Sequence, residues 1–242
     1  MKRMTAVLFA VLTIACALES FGQDQNRLGF GISLNPSRIQ QVAYDYYYYY
    51  GGGMYVESNI PVQTPISFYV PIHVNERFRL EPAFGFSSSG NETVTSSTNP
   101  TSRPVTGIRN YSSVFVGLSG YYVIPHSPSF DVYIGPRLGV SFLSTEYENS
   151  DFYGGTNPVK FRSETKETDF VIGAACGAEF FPVSQLSVGG EFQFNYTSFG
   201  NPDMTQTYTP PQTSIYTTKY ERKRHLWSTD VLFFLRWYFL QN

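Results

Sequence analysis

The C-terminal stretch His225–Phe239, HLWSTDVLFFLRWYF, constrains the fold most. Read at a period of two, one face carries His225, Trp227, Thr229, Val231, Phe233, Leu235, Trp237 and Phe239. The other carries Leu226, Ser228, Asp230, Leu232, Phe234, Arg236 and Tyr238, and with them both charges. Alternation of this kind is the mark of a strand whose two faces meet different surroundings. A tilted strand of roughly 9–11 residues crosses a bilayer, so this one is long enough.

The same rule runs along the chain. Alternating segments fall at Arg27–Asn35, Gln63–Val74, Phe78–Ser87, Ser112–Tyr122, Phe130–Phe142, Thr168–Phe180 and Leu186–Tyr196, which with the last makes eight strands. Their charged residues are Arg27, Arg79, Glu81, Asp131, Arg137, Asp169, Glu179, Glu191, Asp230 and Arg236. Every one lies opposite the large apolar side chains. An Arg or Lys facing lipid at the midplane costs about 2–4 kcal/mol, so the apolar parity faces lipid and the charged parity the barrel interior. A soluble barrel would invert this arrangement.

Connections alternate in length. Residues 36–62, 88–111, 143–167 and 197–224 are long and polar, whereas 75–77, 123–129 and 181–185 are short. Long extracellular loops against short periplasmic turns are the asymmetry of an outer-membrane barrel. The expected fold is therefore all-β: an eight-stranded antiparallel up-and-down transmembrane barrel over 24–242, with both termini periplasmic. Pro71, Pro82 and Pro136 fall inside strands, where bulges or strand-end positions are expected, because proline removes a ladder donor.

Composition agrees. Charged residues make up 15% of the 242 residues, against roughly 25% in ordinary soluble chains. Aromatic residues reach 17%, and a net charge of −2 leaves no nucleic-acid footprint. Met1–Gln23 has a basic start (Lys2, Arg3), an apolar core (Ala6–Leu18) and small residues at Ser20 and Gly22. It reads as a signal peptide, residues 1–22, cleaved after Gly22. Cys16 admits a lipoprotein alternative, although Thr13-Ile14-Ala15 precedes it without a Leu at −3. Cleavage leaves Cys176 alone, so no intrachain disulfide is expected, and Cys176 cannot make a thiolate metal site by itself.

With the strands placed, the chain resembles the small eight-stranded outer-membrane β-barrel family, the class of OmpA's membrane domain and OmpX. It is especially similar to bacterial outer membrane protein beta-barrel domain proteins. The resemblance rests on LEPAFGFS (Leu80–Ser87), YIGPRLGVSFL (Tyr133–Leu143), GAACGAEFFP (Gly173–Pro182) and VLFFLRWYF (Val231–Phe239), and it covers the mature chain. It implies a Gram-negative, porin-like surface barrel without cofactor. It also implies that the barrel-assembly machinery reads the aromatic last strand through Trp237 and Phe239, here followed by Leu240-Gln241-Asn242.

Candidate sites each carry a bland and a sharper reading. Arg79, Glu81, Arg137, Glu179, Glu191, Asp230 and Arg236 form either a salt-bridged polar core, since eight strands leave an interior that side chains just fill, or the lining of a narrow ion path. Tyr46, Tyr47, Tyr48, Tyr49 and Tyr50, followed by three glycines, form either a mobile or interfacial loop or a recognition patch for glycans or a partner. Lys219, Arg222, Lys223 and Arg224 form either a solvated loop base or a contact for lipopolysaccharide phosphates. His73, His126 and His225 lack metal spacing. His225, Ser228 and Glu221 could imitate a Ser/His/acid set, but Ser228 and His225 have opposite parity. The expectation is a monomeric, non-enzymatic outer-membrane barrel with a structural or surface-recognition role. A narrow channel is the first alternative and a lipid-modifying enzyme the second.

Overall fold

The computed structural model describes residues 27–35, 48–50, 53–55, 66–95, 105–151, 159–209, 214–219, 221 and 223–239. The proposed signal peptide lies outside them. The strands are β1 (Gly29–Leu34), β2 (Tyr48–Tyr50), β3 (Gly53–Tyr55), β4 (Ile66–Tyr69), β5 (Ile72–His73), β6 (Phe78–Thr95), β7 (Val105–Ser127), β8 (Phe130–Asp151), β9 (Val159–Val183), β10 (Leu186–Phe199), β11 (Asp203–Thr209), β12 (Ser214–Lys219) and β13 (Arg224–Tyr238). β2 and β3 form a separate two-stranded ladder. β4 and β5 together make one stave, and eight staves close an antiparallel ring. The closing seam is β1 on β13, from Gly29 opposite Tyr238 to Leu34 opposite Phe233.

The prolines are accommodated in three ways. Pro71 splits the second stave: Val70 N–H donates to Pro82 O at 3.0 Å and Gly29 N–H to Pro71 O at 2.9 Å. In an antiparallel strand the N and O of one residue point to the same neighbour. The donor that Pro82 lacks therefore faces that interruption. Pro136 sits in unbroken register with β9, and the ladder to β7 lapses between the Ser119–Arg137 and Tyr122–Ile134 pairs. No bulge forms at Pro82 or Pro136. The register shifts instead between Leu186 and Val188 and between Pro125 and Ser127.

The barrel is inside-out. Arg79 and Arg236 are 1% exposed and Glu179 is 0%, whereas Leu138, Phe170, Ile172 and Phe233 are 58–62% exposed on the outer wall. On β8 the outward residues run apolar from Phe130 to Phe142. Beyond it they turn charged: Glu146 meets Arg162 at 2.5 Å, and on β9 Lys166 meets Glu164 at 2.7 Å. The apolar band therefore ends between Phe142 and Glu146. Its other edge lies near the three tight turns.

β6 to β9 do not stop at this edge. They continue through much of 88–111 and 143–167, the segments expected to be loops. β9 pairs with β10 as far as Phe170 opposite Ser198, then takes β11 as its neighbour from Lys166 opposite Asp203. The 197–224 segment likewise contains the β11–β12 hairpin. A six-stranded sheet, β6-β7-β8-β9-β11-β12, thus stands beyond the band. Both of its faces carry polar residues, so no apolar period announces it, although its Thr, Val, Ile and Tyr suit extended backbone.

Candidate functional site

The inward faces of β6, β9 and β13 bring four ionised groups together near the turn end of the barrel. Arg79 Nη1 donates to Glu179 Oε2 at 2.6 Å, and its Nε lies 2.6 Å from Glu81 Oε1. Arg236 Nη1 donates to Glu179 Oε2 at 2.8 Å, and its Nη2 lies 2.9 Å from Glu81 Oε1. Tyr238 O–H donates to Glu179 Oε1 at 2.7 Å, and the Ser187 hydroxyl donates to the same oxygen. Two guanidinium and two carboxylate groups balance in charge. Aromatic faces complete the shell: Arg79 lies 4.4 Å from the Tyr133 centroid, and Arg236 lies 3.8 Å from that of Phe234 and 5.1 Å from that of Tyr69. The long side chains fit because glycines lie beneath the rings. A Cβ on Gly31 would strike the Tyr69 ring, and one on Gly177 the Tyr133 ring.

The rest of the expected network lies beyond these four groups, and Glu191 is linked to them through Tyr133, whose hydroxyl accepts from Arg236 Nη2 at 3.4 Å. Glu191 accepts from Tyr133 O–H at 2.9 Å, Tyr121 O–H at 3.0 Å and Gln193 Nε2 at 2.5 Å. Asp230 accepts from Asn195 Nδ2 at 3.0 Å and Asn35 Nδ2 at 3.2 Å. Arg137, though buried, forms no salt bridge with a described residue, and its Nη1 has no hydrogen-bond partner there. It borders a cavity of about 50 Å³ with Ser33, Ser67, Ser119, Gln193 and Glu191. At roughly 30 Å³ per molecule, that holds one or two waters. The seven residues therefore form a four-membered ionic plug, two carboxylates bound by hydroxyl and amide groups, and a lone guanidinium.

Sequence reasoning did not single out Tyr69, Tyr121, Tyr133, Tyr238 or Ser187. Their signal was present, since each shares the parity of the charges. The histidines do not converge. His73 packs edge-on against Tyr238, His126 against Phe130, and His225 stacks on Tyr196. Ser228 Oγ lies 3.5 Å from Asp230 Oδ2, so His225, Ser228 and Glu221 do not assemble as a triad.

Tyr46 and Tyr47 lie outside the described residues, and Tyr48–Tyr50 form β2. Of the basic cluster, Lys219 is 4.0 Å from Asp203, Lys223 is exposed, and Arg222 lies outside the described residues. Arg224 departs from the expected shared outward patch: it turns inward to Glu167, 2.6 Å away. Trp237 and Phe239 point outward.

A closed ring with an apolar outer wall and an ionic interior defines a transmembrane outer-membrane β-barrel. Residues 5–209 match the model of the outer membrane protein beta-barrel domain, and the chain belongs to that family. No curated protein matches it. Among solved structures it is similar to a major outer membrane protein from Thermus thermophilus, with 11% identity over 88% of this chain and 99% of that one and a TM-score of 0.46. It is also similar to Acinetobacter baumannii CarO2, at 11% identity over 89% and 100% with a TM-score of 0.38. Ail, the attachment invasion locus protein of Yersinia pestis, is similar at 12% identity over 88% and 95%, with a TM-score of 0.35.

Proposed function

We propose that this barrel is a non-enzymatic surface-recognition protein, monomeric, with the tight turns and both termini in the periplasm and the six-stranded sheet outside the cell. One observation carries the reading. Below the rim the lumen is packed by an ionic plug, while above it a sheet ends on β6 and β12, whose outer edges at that level pair with no other described strand. An unpaired sheet edge is a template for an extended peptide, which supplies main-chain hydrogen bonds and places alternate side chains on the sheet faces. On this reading Lys219 and Lys223 sit at the level of lipopolysaccharide phosphates, and the barrel-assembly machinery reads Trp237 and Phe239.

The test uses the barrel in lipid nanodiscs. Peptides selected from a displayed random library should bind the native chain and lose binding when Thr217 on β12 and Ser88 on β6, whose backbone faces away from β7, are both replaced by proline. Selected peptides that bind the proline variant equally well would sink edge recognition. Planar-bilayer recordings address the channel alternative, and a steady single-channel conductance would favour it. An altered lipid A profile on expression would instead favour an enzyme.

A further inference from the structure

The sheet divides at one place, where β9 exchanges β10 for β11, and the residues there form a partly buried charge cluster. Asp169 on β9 is fully buried, and its Oδ1 accepts the Gly200 N–H at 2.9 Å. Gly200 is the first residue after β10. Two residues along β9, on the same face, Glu167 lines the same small cavity as Asp169. Arg224 opens β13 and joins both sides: its Nη2 donates to Glu167 Oε1 at 2.6 Å and to Gly200 O at 3.4 Å. A small cavity beside them is lined by Leu143, Thr145, Thr165 and Phe199 as well as by the three charged residues. β8 and β10 contribute no charge to it, so Glu167, Asp169 and Arg224 are its charged groups among the described residues.

Charge counting leaves a deficit. One buried and one partly buried carboxylate face one guanidinium, and Arg224 reaches Glu167 and not Asp169. Asp169 Oδ2 has no donor among the described residues. Two carboxylates lining one small cavity do not both ionise readily. A proton on Asp169 removes the excess charge at its unpartnered Oδ2.

We propose that Asp169, beside the Glu167–Arg224 pair, is a proton-binding latch that holds the strand switch shut and so governs the β11–β12 hairpin. This rests on the recognition reading only for its consequence, since the hairpin carries the β12 edge. With the proton bound, Asp169 and Arg224 clamp Gly200 to β9 and β13, and β11 departs at a fixed angle. When the proton leaves, as pH rises, two negative charges repel across the clamp. The Gly200 contacts then weaken and the hairpin moves away from β9.

Hydrogen exchange on the whole barrel in nanodiscs tests this without any ligand, so it stands or falls separately from peptide binding. Protection of amides 200–209, corrected for intrinsic exchange, should fall about tenfold between about pH 5.5 and about pH 8.5, a window reached by a carboxyl that burial raises. Amides of β10 and β13 within the barrel should hold constant. Asp169→Asn keeps an acceptor for Gly200 and carries no charge, so its hairpin should stay protected across the range. If that variant does not give the heat-modifiable barrel form on a gel, Glu167→Gln carries the same expectation. A native hairpin indifferent to pH, or a neutral variant that loosens as the native chain does, would overturn the latch.

Discussion

At the scale of single residues, the interior shows that sharing a parity is not sharing a bond. Glu179 holds both arginines, Tyr238 and Ser187. Arg137 is buried like the other two arginines but forms no salt bridge with a described carboxylate. Removing one partner of a buried ion pair strands the other charge and costs about 3–5 kcal/mol. Glu179→Ala should therefore destabilise the barrel by about that amount in urea unfolding from detergent micelles. Arg137→Met strands nothing and removes a desolvated charge, so it should be neutral or stabilising. A larger loss for Arg137→Met than for Glu179→Ala would sink this division of the interior. Gly31 offers a steric counterpart, because the Tyr69 ring occupies the space a Cβ would take. Gly31→Val overpacks that spot and should cost about 1–3 kcal/mol by the same measurement.

At the scale of elements, what the sequence discloses depends on the contrast between a strand's two sides. β8 meets lipid outside from Phe130 to Phe142 and a polar lumen inside, and its alternation is plain. Beyond Phe142 both faces are wet, Ser144, Glu146 and Glu148 alternate with Thr145, Tyr147 and Asn149, and the same strand reads as polar loop. β11 and β12 were hidden for that reason. The division of the second stave was legible only as a proline, because Pro71 marks an obstacle without saying where β6 leaves room for it. The ring and its facing were therefore readable, whereas the distal sheet and the partition of the ionic network required coordinates. Arg224 shows the limit well. In sequence it belongs to a basic run, but the first register pair of β13 turns it to Glu167.

At the scale of the whole molecule, the position of the band in the bilayer follows from β13. Trp227 and Trp237 both point outward, 58% and 48% exposed, and lie ten residues apart. At about 3.4 Å per residue and a tilt of roughly 40°, they are separated along the barrel axis by about 26 Å. An outer-membrane barrel has an apolar band about 25 Å tall with aromatic girdles at both edges. Each Trp should then sit at one interface, Trp227 stacked on Phe194 and tilted against Tyr196 in the distal girdle and Trp237 in the one near the turns. Single-tryptophan variants, Trp237→Phe and Trp227→Phe, in bilayers of brominated lipid check this directly. Both should be quenched most by bromine near the headgroups and least by bromine near the chain ends. Strongest quenching of either one at the bilayer centre would mean that the band is displaced along β13. The plug and the strand switch would then lie at depths other than those assigned.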